Sequence, residues 1–203
     1  FTTEWCGWCR RIENDVYKSK EGKKALERFV PVSLDCTRRN KDGKELREAM
    51  ENQQLMKIWG GSGYPFLVQV TADGVMLNSW TGYRPLPAFE SELKSALTAL
   101  EEYRAFEEKA SDANQESYTF NLQAMKVYDR FHRYEKALGT ANKVLEMDPD
   151  NERGNADQAA SIRFTALRKT GKMEQLSEAL NTVQKFSPDN NEGLWEEAAT
   201  SYA

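Results

Sequence analysis

The stretch Phe1-Thr2-Thr3-Glu4-Trp5-Cys6-Gly7-Trp8-Cys9-Arg10-Arg11 constrains this chain more than any other. A short β-prone run leads into two cysteines two residues apart, and Trp8, Ile12 and Val16 then recur every four positions, as on an amphipathic helix. The dithiol is therefore expected at a strand-to-helix junction. There the first helical turn offers unpaired backbone N–H groups and the positive end of the macrodipole, both of which favour a thiolate on Cys6. Cys6 is read as the nucleophile. Cys9, one turn further in, is placed to attack a mixed disulfide on Cys6 and release the partner. Two other readings compete. A zinc half-site would need four ligands, and the chain adds only Cys36 and the distant His132, so no metal is expected. A purely structural disulfide is the second. No cofactor is implied.

With 203 residues there is room for one large domain or two ordinary ones, and 39% hydrophobic residues without a long apolar run describe a chain that does not span a membrane. Residues 1–110 carry 17 Lys and Arg against 17 Asp and Glu, and residues 111–203 carry 11 against 15, which argues against a nucleic-acid partner. Arg10, Arg11, Lys18, Lys20, Lys23, Lys24 and Arg28 crowd one region after the dithiol. A solvated helix face explains such a run, and so does support for the Cys6 thiolate or attraction of acidic partners.

The first helix continues or restarts through Ala25, Leu26 and Phe29; Val30, Val32 and Leu34 then alternate as in a strand, with Pro31 leaving one backbone side unpaired. Cys36 follows as an odd cysteine, read as a buried free thiol or else as a third redox partner or intermolecular link. Residues 37–43 form a polar loop, and Lys44 to Trp59 has helical spacing ending at Gly60-Gly61. Glycines and serine at 60–63 give the chain freedom before Tyr64-Pro65, where a cis bond suits a tight turn. Phe66–Val70 and Val75–Trp80 read as a hairpin, and Trp80 is assigned to the core. Arg84-Pro85-Leu86-Pro87 opens a helix through Leu93, Leu97 and Leu100 to Ala110, an extension that reads as a rigid arm.

Trp5-Cys6-Gly7-Trp8-Cys9 resembles the active-site motif of the thioredoxin superfamily, with Trp8 where thioredoxins usually carry proline. Pro65 before a strand, Asp73-Gly74 in its hairpin and Gly82 after it match that family in order, so the resemblance covers roughly residues 1–105. It implies an α/β thioredoxin-like fold in which Pro65 is cis and faces the dithiol, and in which Trp5, Gly63, Tyr64, Pro65 and Gly82 contact the substrate. Trp8 and Tyr83 would complete an aromatic rim with Trp5 and Tyr64. By the same resemblance Phe1 falls at the end of the strand that leads to the dithiol, so a longer natural N-terminus is expected.

Residues 1–110 are thus read as the thioredoxin-like domain, the polar residues 111–117 as a linker and 118–203 as an all-α domain. Two segments rhyme there. Tyr134 to Asn151 and Met173 to Asn190 each run from a helix into Pro-Asp-Asn, with Pro149 and Pro188 39 residues apart. Tyr128, Ala137, Pro149, Gly171 and Pro188 make the region similar to tetratricopeptide repeats, which implies a concave surface for a protein partner. Asn191–Ala203 reads as a further helix. His132 is read as an exposed or satisfied helix residue rather than a catalyst.

The leading reading is a thiol–disulfide oxidoreductase acting on protein disulfides or dithiols, whose helical repeats dock a protein partner. A non-catalytic scaffold subunit using both parts for assembly is the alternative. Fusions of this kind resemble exported bacterial proteins, so a periplasmic site is expected, with the cytoplasm as the other option.

Overall fold

The computed structural model describes residues 1–39 and 46–187. Of the sequence expectations, most of the loop at 37–43, the helix start at Lys44, the Pro188-Asp189-Asn190 copy and the helix at 191–203 lie outside them. The chain separates into two compact units, Phe1–Glu102 and Tyr103–Ala203.

In the first unit Cys6 caps helix α1, Gly7–Ile12, which runs directly into a π-helical turn, Glu13–Tyr17. Ser19 caps the next helix, α2, Lys20–Ala25, by accepting the Gly22 N–H at 3.0 Å. Gly22 has to be glycine here: a Cβ would lie 2.0 Å from the Val16 carbonyl oxygen. Helix α3, Arg47–Ile58, ends at Trp59 and Gly60, whose φ of +84° suits glycine. Strands β1, Phe66–Val70, and β2, Met76–Thr81, pair antiparallel with an irregularity after Gln69.

Two further extended segments lie alongside. The Phe66 N–H donates to the Phe1 carbonyl at 3.2 Å, and Thr2 bridges Asp35 in the parallel sense, with Thr2 N–H on the Leu34 carbonyl and Cys36 N–H on the Thr2 carbonyl. The order is therefore 34–36, 1–2, β1, β2. The strand expected at Val30, Val32 and Leu34 does not form. Pairing is confined to that bridge, Val30 and Val32 are exposed, and Pro31 supplies no donor. Alternation alone suggests a half-buried strand, but burial is partial at Leu34 and complete only at Cys36 and Thr37.

The core beneath the dithiol is Ile12, Val16, Trp80, Phe89 and Leu93, with Leu26, Phe29, Leu67 and Leu86 packed around it. Trp80 is buried and meets Phe89 edge to face at 5.6 Å. Phe89 and Leu93 belong to helix α4, Leu86–Ser111, one uninterrupted element of 26 residues that includes the extension beyond Leu100. The division between the compact units falls within it, after Glu102.

The second unit is helical throughout its described residues: α5, Tyr118–Arg130; α6, Tyr134–Met147; α7, Ala156–Lys169; and α8, Leu176–Phe186, entered through a 3-10 turn at Met173–Gln175. Ser117 caps α5. Each helix packs on the next. Leu138, Phe164, Leu167, Leu176, Leu180 and Val183 form the core, and alanines 137, 141, 159, 160, 166 and 179, all fully buried, let the helices approach closely. The turn after α6 is built by side chains: the Asp148 carboxylate accepts the N–H groups of Glu152 and Arg153, and Asn151 Oδ1 accepts that of Ala156.

Candidate functional site

The helix cap and the dithiol are the same residue. Cys6 is extended, φ −76° and ψ 101°, and its Sγ accepts the Cys9 backbone N–H at 3.0 Å. The two sulfurs are joined, S–S 2.03 Å with Cα atoms 5.2 Å apart, and both cysteines are buried. Once the pair is reduced, the N–H that reaches Cys6 Sγ becomes a charge-assisted donor to a thiolate, next to the other free N–H groups of the first turn.

The approach to Cys6 is held by side chains from a distant segment. The Glu4 N–H donates to Thr37 Oγ1 at 2.9 Å, and the Thr37 hydroxyl donates to the Asp35 carboxylate at 2.6 Å. Helix α3 secures that segment in turn: Asn52 Nδ2 donates to the Asp35 carbonyl at 2.8 Å and Gln53 Nε2 to the Cys36 carbonyl at 2.7 Å. Nothing in the sequence spacing points to Thr37 or Asp35, which lie 26 to 31 positions from the two cysteines.

Pro65 and its neighbours converge on the same place. The Tyr64–Pro65 bond is cis. Gly82, φ +91°, donates its N–H to the Pro65 carbonyl at 2.7 Å, and a Cβ on Gly63 would be 3.3 Å from Thr81 Cγ2, so the loops at 63–65 and 81–83 touch. The ring of Tyr64 meets Trp5 edge to face at 5.6 Å, and Trp8 stacks on Tyr83 at 5.8 Å. Trp5 and Trp8, the neighbours of Cys6 and Cys9 in the chain, are thereby tied to the loops that carry Gly63, Tyr64, Pro65 and Gly82. The indoles of Trp5 and Trp8 stay 69% and 56% exposed, an unusual state for side chains of that size.

Residues 1–97 match the family model described as a thioredoxin-like domain. Over those residues the chain is thioredoxin-like. No curated protein and no solved structure matches the chain. Within the thioredoxin-like domain Cys36 is free and buried. Burial pushes its thiol above the ordinary range, opposed by the nearby Tyr64 hydroxyl, so Cys36 lacks the thiolate character of a nucleophile. Burial likewise raises the Tyr64 phenol to about 12. Among the described residues no three His, Cys, Asp or Glu side chains gather as a metal site, and no helix is long and apolar enough to cross a membrane.

One cluster of the domain was only half legible in the sequence. Arg11 Nε donates to the Asp15 carboxylate at 3.3 Å, an i,i+4 pair that spacing makes visible. The Tyr83 hydroxyl donates to the same carboxylate at 2.8 Å from 68 positions away, which only the fold reveals.

Proposed function

We propose that this protein is a thiol–disulfide oxidoreductase acting on protein disulfides, with Cys6 as the attacking and Cys9 as the resolving sulfur. The observation that carries this reading is the cap itself: a cysteine pair three positions apart whose Cys6 sulfur receives a backbone N–H at the start of a helix, with two exposed indoles next to it in the chain, one of which meets the tyrosine of the cis Tyr64–Pro65 bond. Starting from the reduced pair, the Cys6 thiolate attacks one sulfur of the partner's disulfide. A Cys6–partner bond forms, the partner S–S bond breaks, and the released partner thiolate takes a proton. Cys9, having lost its own proton to solvent, then attacks Cys6 Sγ, which closes the Cys6–Cys9 disulfide and frees the second partner thiol. Two electrons have passed to the partner and the dithiol is oxidised. The reverse sequence oxidises a partner dithiol, and the relative reduction potentials set the direction.

Trp5, Gly63, Tyr64 and Gly82 would line the groove for an extended segment of the partner, its backbone running along the loop at Tyr64 as an added strand, while Pro65 keeps that loop in shape. We further propose that α5/α6 and α7/α8 are two tetratricopeptide-like repeats that dock a protein partner, and that the protein works in an exported bacterial compartment, where disulfide exchange is needed.

Insulin reduction with dithiothreitol as electron donor tests the chemistry. The wild type accelerates it, Cys6→Ser abolishes the acceleration, and Cys9→Ser accumulates the mixed disulfide; full activity in Cys6→Ser ends the assignment. Docking by the helices predicts that some partners co-purify equally with a Cys6→Ser, Cys9→Ser double variant, because their capture needs no sulfur.

A further inference from the structure

Beside the dithiol, Trp8, Arg11 and Tyr83 form a plate of fixed composition. The Arg11 guanidinium carbon lies 4.8 Å from the Tyr83 ring centroid and 5.6 Å from that of Trp8, within cation–π range of both. Its Nε is anchored on Asp15, which also receives the Tyr83 hydroxyl. A long side chain that normally loses much rotamer entropy on binding is thus held in one place beforehand. Its terminal amino groups hydrogen-bond to no carboxylate among the described residues. They keep the planar fork that suits a carboxylate, on the helix that Cys6 caps.

The surroundings carry the same sign. Residues 10–28 hold seven Lys and Arg against four Asp and Glu. Two of those acids are already engaged, Asp15 by Arg11 and Glu13 by Lys18 at 2.7 Å. Lys20, Lys23, Lys24 and Arg28 have no acidic partner among the described residues.

Building on the oxidoreductase reading above, we infer that Arg11 is a specificity-determining residue that receives a carboxylate flanking the target cysteine, and that the preferred partner is an acidic, extended polypeptide segment. The basic run along α1 and α2 adds salt-sensitive attraction as that segment approaches. A structural role for Arg11, merely pinning the loop at Tyr83 to the helix, would give no such preference.

Two synthetic disulfide peptides that differ only in carrying Glu or Lys on either side of the cysteine distinguish these. The wild type is expected to favour the Glu peptide in kcat/KM by about tenfold at low salt, the scale of one charge-assisted contact, and to lose most of that preference near about 0.5 M salt. Arg11→Gln is expected to bring the ratio close to one, and Arg11→Lys to restore part of it, since charge returns without the planar fork. Equal use of both peptides by the wild type overturns the inference, as does an unchanged ratio in Arg11→Gln. If Arg11→Gln melts early, the salt titration of the wild type and the Arg11→Lys ratio decide. Turnover of neither peptide would sink the oxidoreductase reading as well, whereas turnover without preference sinks only this one.

Discussion

The two units differ in where they put large apolar side chains. Every large hydrophobic residue that is exposed among the described residues lies between Trp5 and Val70, whereas in the helical unit Phe164, Leu167, Leu176 and Val183 are fully buried among alanines. A surface indole gains nothing from burial in the free protein, so Trp5 and Trp8 persist at a cost in solubility that only a contact with something else offsets. The helical unit shows the opposite: its apolar side chains are consumed in holding helices together. Substitutions of equal size should accordingly damage stability in one region and recognition in the other.

The largest expected effect is Phe164→Ala. It empties the middle of the α7–α8 core and should destabilise the helical unit by about 3–5 kcal/mol, read as a fall in the denaturant midpoint. The rate at which reduced Cys6 is alkylated should stay where it was, because Phe164 belongs to the core of the helical unit and Cys6 to the other compact unit. A change in that rate would show that the contrast between the units is drawn in the wrong place. Gly22→Ala comes next. The added Cβ meets a backbone oxygen rather than a flexible side chain, so α2 must move away from the π-helical turn, at about 1–3 kcal/mol. A melting temperature equal to the wild type's would contradict the close approach of Gly22 to Val16.

These two residues also mark the limits of reading the sequence. The dithiol, its helix, the hairpin and the long helix α4 follow from local signals, namely cysteine spacing, turn residues at Asp73-Gly74 and an unbroken helical period, whereas the cis bond at Pro65 follows from the family resemblance, the glycine-rich run before it only permitting it. Gly22 carries no mark of its own in the sequence, because its meaning is set by the Val16 carbonyl in a π-helical turn that no periodicity announces. Val30 and Val32 misled for a related reason. Alternation is a necessary mark of a half-buried strand, but a neighbour must also supply the ladder, and here that neighbour reaches only Asp35. The Tyr83–Asp15–Arg11 cluster stayed hidden because its members join across 68 positions.

A smaller effect, and the one that sharpens the contrast, is expected from Trp5→Ala and Trp8→Ala. Both side chains are more than half exposed, so stability should change by no more than about 0.5 kcal/mol. Efficiency toward a protein disulfide should nevertheless fall by about tenfold, roughly 1.4 kcal/mol of binding to the transition state. The measurement is kcat/KM for insulin set beside the melting curve. Loss of stability without loss of efficiency would make the indoles structural.

The smallest predicted effect concerns pH. His132 is the chain's one histidine, so the window in which imidazole titrates belongs to the helical unit alone. It sits at φ +54° between α5 and α6, with its ring 5.2 Å from Tyr134 and its Nδ1 buried without a partner among the described residues. Burial, helped by the charge of Lys169, holds its pKa below the ordinary value. The folded unit therefore binds fewer protons than the unfolded chain. The stability this confers is complete above the unfolded pKa of about 6.5 and is lost as pH falls through the lower folded value. Nearby Asp129, raised by burial, acts with the opposite sign at lower pH, so the comparison is best made between about pH 7 and 6. His132→Asn, which tolerates the left-handed backbone, should flatten the slope of the helical unit there without touching that of the dithiol unit. An equal slope in wild type and variant would mean that the imidazole is charged as readily in the fold as in water.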